Sequence, residues 1–402
     1  MRICMLAPEF LPVWGGVGAY IVELIRHLPR SVEIHVVASS RDRLGDARIR
    51  TSDYDFGEYF SDNIRFHFIS GASDTFFYNA AFQYRCLRFV PKLVKEQSID
   101  LIHSHAAHMP DILLQLRQLK LPVVTTVHTT IAGQRQGAKE SGMSFKDLEF
   151  SEKATYVSYP LLSLAERIFF SAKNRYYVTV SNWMKEQLLI RMPHLKESCI
   201  RVIPNSVDSG FFKPAKCGEK RIVLFTGRFT AAKGLRYVIE AAPAVLNKFP
   251  DTSFVFVGPG DASPYMAMRE KLQLPESKLI FVGYLKDRAD LLDLYQRCTV
   301  YVAPTLYENL PTRVLEAMAC AKPVVASSVC GIPEAVTSGV NGMLVPPKSS
   351  EALAEAISYL LDDTDLRAEI GSRARSTVIN RFDWITNARK MVKFYQEALN
   401  TN

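Results

Sequence analysis

Three things are missing from this chain of 402 residues. No apolar run approaches the roughly 20 residues that a membrane-spanning helix needs. The first residues lead into a strand pattern with no basic region and apolar run ahead of it, so neither insertion nor export is expected. The seven cysteines, at positions 4, 86, 199, 217, 298, 320 and 330, are odd in number and show no Cys-x-x-Cys or Cys/His ligand spacing. That argues against a disulfide framework and a zinc site, and for a reduced, cytoplasmic location. Charge of one sign is not concentrated either. Residues 1–208 hold 25 basic and 21 acidic side chains and residues 209–402 hold 24 and 20, so each half carries +4 of the net +8. Nucleic-acid-binding surfaces gather their charge, so no nucleic-acid partner is expected.

What is present is enough apolar residue, 48% of the chain, for two ordinary cores. A strand at 2–7 runs into a loop with Gly15, Gly16 and Gly18, then an apolar stripe at Val17, Ile21, Leu24, Ile25 and Leu28 reads as a helix. Glycine lets a backbone approach a phosphate without a Cβ in the way, which makes Gly15 and Gly16 candidates; a plain tight turn explains them equally well. The spacing is not Gly-x-Gly-x-x-Gly, so a dinucleotide is not read.

Further strands are expected at 33–38, 64–69, 100–103, 123–127, 177–180 and 200–203, with helical stretches at 80–96, 110–118, 160–174 and 182–191. A polar, linker-like stretch to 220 opens a second series, with strands at 222–226, 253–257, 279–282, 300–303, 323–326 and 342–345. Alternation of this kind predicts an α/β fold with parallel sheets covered on both faces, here in two domains, 1–208 and 209–382. A closing amphipathic helix over 383–402 completes the second domain or packs back on the first. The stretch 131–159, polar and bearing Gly133, Gly137 and Gly142, reads as a long loop assigned to acceptor recognition.

Ligands of such sheets bind at the carboxyl ends of the strands, where His128 falls; a lone histidine there also serves as a structural residue. His103-Ser-His105-Ala-Ala-His108 has no acidic or cysteine cluster to complete a metal site. Asp53-Tyr54-Asp55 follows no apolar strand and reads as a surface loop. The aromatic and basic residues Phe76, Phe77, Tyr78, Phe82, Tyr84, Arg85, Arg88, Phe89, Lys92 and Lys95 suit either core packing or a peripheral membrane contact.

The chemistry concentrates in the second series. After the strand at 300–303, Glu308 lies in a loop, Pro311 suits a first helical position, and Glu316 lies on the second turn, roughly 9 Å further along the axis. The helix N-terminus between the two carboxylates is an anion site, so phosphate there and hydroxyls on either side describe a nucleotide sugar. Carboxylates placed for the helix dipole alone give the same pattern. Gly227-Arg228-x4-Lys233-Gly234 follows another strand and offers a guanidinium fork and an ammonium to a diphosphate. Gly258-Pro-Gly260, Gly283 and Gly331-Ile-Pro-Glu334 occupy further strand ends.

Taken in order, Gly15-Gly16, His128, Ser181, Asn205-Ser-Val-Asp208, Gly227-Arg228-x4-Lys233-Gly234, Glu308-x7-Glu316 with Ala-Met-Ala-Cys, Lys322-Pro-Val-Val and Gly331-Ile-Pro-Glu334 resemble the family 4 retaining glycosyltransferases of the GT-B fold, across essentially the whole chain. The resemblance implies two Rossmann-like domains facing a cleft, with the donor held by the second and the acceptor by the first. It implies that Glu316 contacts the ribose, Glu308 a donor-sugar hydroxyl, Arg228 and Lys233 the diphosphate, and Gly16 a phosphate. His128 would meet the sugar or the reaction centre, and Gly15, Gly227, Gly258, Asn309, Leu310 and Pro311 would join the donor site. The expected activity is hexosyl transfer from a UDP- or GDP-sugar to a glycan, lipid-linked or small-molecule hydroxyl, without a metal cofactor. Many relatives have Ser-Phe-Gly or Gly-Phe-Gly where Asn309-Leu310-Pro311 stands, which bears on donor identity. The rival readings are a nucleotide-sugar epimerase of the same fold and a non-catalytic sugar-nucleotide binding protein.

Overall fold

A computed structural model of the chain describes residues 1–11, 16–41, 43–44, 47–48, 50–72, 77–215 and 220–401. The chain divides into two compact units. The first comprises Met1–Ile131, Pro160–Asn205 and Trp384–Asn402, and the second Ala132–Tyr159 and Ser206–Asp383.

The first unit is built on seven strands: β1 (Arg2–Ala7), β2 (Glu33–Arg41), β3 (Ile64–Ala72), β4 (Leu101–His105), β5 (Val123–Val127), β6 (Arg175–Thr179) and β7 (Ile200–Val202). Their order across the sheet is β3-β2-β1-β4-β5-β6-β7, parallel throughout. The second unit has six: β8 (Ile222–Thr226), β9 (Ser253–Val257), β10 (Leu279–Gly283), β11 (Val300–Ala303), β12 (Val324–Ser327) and β13 (Met343–Val345). They are ordered β10-β9-β8-β11-β12-β13, again all parallel. Both orders reverse direction at the first strand of the unit, the switch point where open α/β sheets place their ligands. The near-continuous apolar runs follow from burial on both faces: β4, β8, β11 and β12 have no exposed residue.

Every expected strand forms, within a residue or two at most ends. The stretch 110–118 does not become a helix. Only the short turn Leu114–Arg117 is helical, and Gln118 ends it in the left-handed region at φ 46°. Asp111 draws the chain inward there, because its buried carboxylate is held by Ser104 and Arg175.

The stretch 131–159 is also not a loop. It forms helices Ile131–Glu140 and Phe150–Val157, and residues 132–159 cluster with the second unit. Gly133 and Gly137 explain why a helix tolerates two glycines. A Cβ on Gly133 would enter the Tyr307 ring, and one on Gly137 would lie 2.9 Å from both Ala232 Cβ and Tyr307 Cβ. The glycines cost about 1 kcal/mol each as helix formers, and they admit this close approach.

The closing helix Trp384–Asn400 belongs to the first unit, burying Trp384, Met391, Tyr395 and Ala398. Tyr395 donates to or accepts from His103 Nδ1 at 2.6 Å, and Trp384 meets the Tyr20 ring edge-on at 5.2 Å. Of the 76–95 cluster, Phe82 is fully buried and Phe89 packs on the same core, so these aromatics serve packing. Tyr84 is exposed under the Arg88 guanidinium. Phe76, and the side chains of Phe77 and Tyr78, lie outside the described residues. Asp55 caps the short helix Phe56–Tyr59 by accepting from Gly57 N at 2.8 Å, which makes Asp53-Tyr54-Asp55 a turn.

Candidate donor site

The second unit gathers its strand-end loops by backbone hydrogen bonds. Gly227 N donates to Val257 O and Gly258 N to Gly283 O, both at 2.8 Å, so the ends of β8, β9 and β10 are tied in series. Gly258, at φ 152°, has no room for a Cβ against the Gly227 carbonyl; its glycine is a requirement of this packing. Gly234, at φ 69°, lies equally close to the Pro304 carbonyl. Leu306 N at 2.8 Å and Thr305 Oγ1 at 3.1 Å both donate to Ala232 O. These contacts press the loop after β8 onto the loop after β11.

The result is that Lys233 Nζ touches Glu308 Oε2, with the side chains 31% and 25% exposed. Burial first, then Arg228 and Arg313, lower the Lys233 ammonium to about 8. The touching carboxylate acts the other way, so the two form an ion pair at neutral pH. Arg228 is half exposed and pairs with Glu149 at 3.4 Å.

Glu316 is buried and already engaged. Its Oε2 accepts from Tyr295 Oη at 2.7 Å and Arg313 Nη1 at 2.8 Å, and Tyr295 Oη lies 2.7 Å from Thr226 Oγ1. Both bonds end on Oε2, which fixes the orientation of the carboxylate. The helix is Thr312–Ala319, starting one residue later than Pro311 at a first helical position would give; Pro311 is the capping residue, in extended conformation and without a side-chain cap. Asn309 and Leu310 are buried.

In the first unit His128 follows β5. Its Nε2 lies 3.1 Å from His105 Nδ1, and the Tyr20 ring stands edge-on at 4.6 Å. Burial, and then His108, push the His128 imidazole down to about 3 against the opposing effect of Glu9. It is a neutral ring at pH 7, able to hydrogen-bond rather than to act as a cation. Gly16 opens the helix Gly16–His27 with nothing within 4 Å of where a Cβ would be, so crowding does not explain its glycine. Gly15 lies outside the described residues.

The structure thus brings Gly227, Arg228, Lys233, Gly258, Glu308, Asn309, Leu310, Pro311 and Glu316 together in the second unit, and Gly16 and His128 lie in the first. Sequence reasoning missed Tyr295, Arg313, Glu149 and Glu152. Arg313, three residues before Glu316, carried a readable signal.

Two family models together span residues 14–377 of the chain: Glycosyltransferase Family 4 over residues 14–211 and Glycosyl transferases group 1 over residues 207–377. The chain belongs to glycosyltransferase family 4. It is 26% identical to the alpha-maltose-1-phosphate synthase of Mycolicibacterium smegmatis, over 99% of this chain and 100% of that one. Sucrose-phosphate synthase from Thermosynechococcus elongatus shares the fold at a TM-score of 0.81 and 20% identity, covering 100% of both chains. Anabaena HepE, solved with UDP-glucose, does so at a TM-score of 0.74 and 20% identity, covering 99% of this chain and 100% of that one. The two parallel-sheet domains are those of the GT-B fold. This family 4 member is a glycosyltransferase working on a nucleotide-sugar donor. No helix among the described residues is long and apolar enough to cross a membrane.

Proposed function

We propose that the chain transfers a hexosyl group from a UDP- or GDP-sugar to a hydroxyl acceptor, a glycan, lipid-linked sugar or small molecule, with retention of configuration. The contact of Lys233 with Glu308, beside Arg228 on the same loop, carries this reading. Breaking the bond between sugar and diphosphate leaves negative charge on the leaving oxygen, and Lys233, Arg228 and the first amides of Thr312–Ala319 supply positive charge there. Glu308 orients the sugar hydroxyls against that leaving group, and Glu316, held by Arg313 and Tyr295, takes the ribose. His128, neutral, is a hydrogen-bonding group of the first unit, which is the acceptor-side domain in this reading. In this reading retention comes from attack of the acceptor on the face the nucleotide leaves, the course usually ascribed to the family. The location is cytoplasmic; a peripheral membrane contact through the 77–96 helix has little support, because its described phenylalanines face the core.

The test is a panel of UDP- and GDP-hexoses with oligosaccharide, lipid-extract and sugar-phosphate acceptors, read by mass spectrometry, with the anomeric configuration of the product read by NMR. A new sugar isomer from donor alone would identify an epimerase instead, and binding without turnover a non-catalytic binding protein.

A further inference from the structure

Two carboxylates outside every sequence motif meet the loop that carries Arg228 and Lys233. Glu149-Phe-Ser-Glu152 opens the helix Phe150–Val157 as a capping box in which each side chain accepts from the other residue's backbone N–H. Glu152 does more. Its Oε2 accepts from Glu149 N and from Ala231 N, and its Oε1 from Ala232 N, each at 3.1 Å. Ala231 and Ala232 begin the single turn Ala231–Lys233, so the carboxylate grips the start of the turn whose last residue reaches Glu308. Glu149 reaches a side chain instead: its Oε1 lies 3.4 Å from Arg228 Nη1.

We propose that Glu152 is a positioning residue of the donor site, holding the turn that presents Lys233, and that Glu149 competes with the donor diphosphate for Arg228. The proposal rests on the nucleotide-sugar reading above. It gives two carboxylates three residues apart opposite effects on one ligand. Both are negative charges near cations, and by charge alone the loss of either tightens diphosphate binding. Geometry separates them. A glutamine at 152 has one oxygen for three N–H donors and turns its own NH2 toward another donor, so the turn loosens and Lys233 loses its place. A glutamine at 149 keeps an oxygen for the helix cap and releases Arg228.

Calorimetric titration of UDP and of GDP into the full chain tests this with the wild type, Glu149→Gln, Glu152→Gln and Glu152→Ala. For whichever nucleotide the wild type binds, the Glu152 variants are expected to bind about tenfold more weakly, as for the loss of a charge-assisted hydrogen bond. Glu149→Gln is expected to bind roughly two- to fivefold more tightly, with the gain shrinking as salt is raised. A merely structural role for Glu152 would lower the melting temperature and leave the affinity of the folded protein unchanged. Should Glu152→Ala not fold, the volume-conserving Glu152→Gln decides. Equal or tighter binding by Glu152→Gln overturns the positioning role, and unchanged or weaker binding by Glu149→Gln overturns the competition. A wild type that binds neither nucleotide overturns the UDP- or GDP-sugar assignment proposed above, and this proposal as stated with it.

Discussion

All eight histidines lie in the first unit and none in the second. The first unit buries polar groups largely as neutral rings and hydroxyls: His103 between Tyr395 and Thr126, His105 against His128, His35 against His67. Its one fully buried ion pair among the described residues is Arg175 with Asp111. The second unit instead buries Glu316 against Arg313 and sets Lys233 on Glu308. A leaving diphosphate needs fixed positive charge, which the second unit holds in place with carboxylates. Sugar hydroxyls need neutral donors and acceptors, which histidines and tyrosines supply. The contrast holds around the candidate site residues, where rings surround His128 and ion pairs surround Lys233, and not throughout the interiors, since Glu23 and Glu166 are buried in the first unit as Arg269 and Lys322 are in the second.

The sharpest way to break that comparison is Glu308→Ala. With the sugar no longer oriented against the leaving group, turnover is expected to fall by about 100-fold or more. Binding of the bare nucleoside diphosphate should stay close to wild type or strengthen, since Lys233 is released from its partner. Steady-state rates alongside calorimetry of the product nucleotide check both halves. A loss of nucleotide affinity as large as the loss of turnover would place Glu308 on the nucleotide and not on the sugar.

Acid should separate the units next. The imidazoles of His103 and His128 are pushed down to about 3 and that of His105 well below its usual value, in each case chiefly by burial. Above pH 6.5 these rings are neutral whether the chain is folded or not, so they contribute no pH dependence. Below it the unfolded chain takes up protons that the folded chain refuses, and stability falls by about 1.4 kcal/mol per pH unit for each such ring. Scanning calorimetry from pH 7 to 5 is expected to show the first unit's transition moving down further than the second's. Replacing His105 by Gln removes one titrating ring and should flatten the slope; an equal acid shift in both units would refute the assignment.

A smaller effect is expected from Glu316→Gln. Loss of a charge-assisted hydrogen bond to ribose is worth about 1.5–3 kcal/mol, roughly 10- to 150-fold in nucleotide affinity. The buried Arg313 loses its counter-charge at the same time, so the melting temperature should also fall. Comparing a nucleoside diphosphate with its 2′,3′-dideoxy form isolates the ribose contribution: the variant and the wild type should bind the dideoxy form alike.

Both sheets were legible in the sequence because buried parallel strands are short, apolar and regularly spaced, and the strand-end rule placed Arg228, Lys233 and Glu308 after their strands, while the pairing of those two strands as neighbours came only from the fold. The helix around Glu316 was legible to within a residue. Tyr295 was not: it reaches Glu316 from 21 positions away, and no periodicity announces a contact made by tertiary packing. Residues 131–159 misled for a different reason. Their helices are interrupted by Gly133 and Gly137 and capped by glutamate in place of serine or threonine, so local preference argued for a loop while packing against Tyr307 and Ala232 decided for a helix. The burial of Asn309 and Leu310 was not legible either, since position in a loop does not tell which residues lose their exposure.

The smallest expected effect is that of metal removal. A divalent ion at a diphosphate neutralises the charge that develops as the sugar leaves. In the proposed reading that work falls to Lys233 and Arg228, a few residues apart on one loop, and to the start of the helix Thr312–Ala319, where Pro311 provides no side-chain cap. The acidic residues nearest these cations are committed: Glu308 to Lys233, Glu149 to Arg228 and Glu152 to three backbone N–H groups. A cation entering here would have to displace an ammonium or a guanidinium from its carboxylate, exchanging one positive charge for another at the cost of the hydrogen bonds already made. Turnover is therefore expected to be unchanged by EDTA and unchanged by added Mg²⁺ or Mn²⁺, measured at constant ionic strength so that screening of Arg228 does not imitate a metal effect. Activity lost to EDTA and restored by either ion would mean that the charge on the leaving group is not carried by Lys233 and Arg228, and the division of labour between the two units would have to be redrawn.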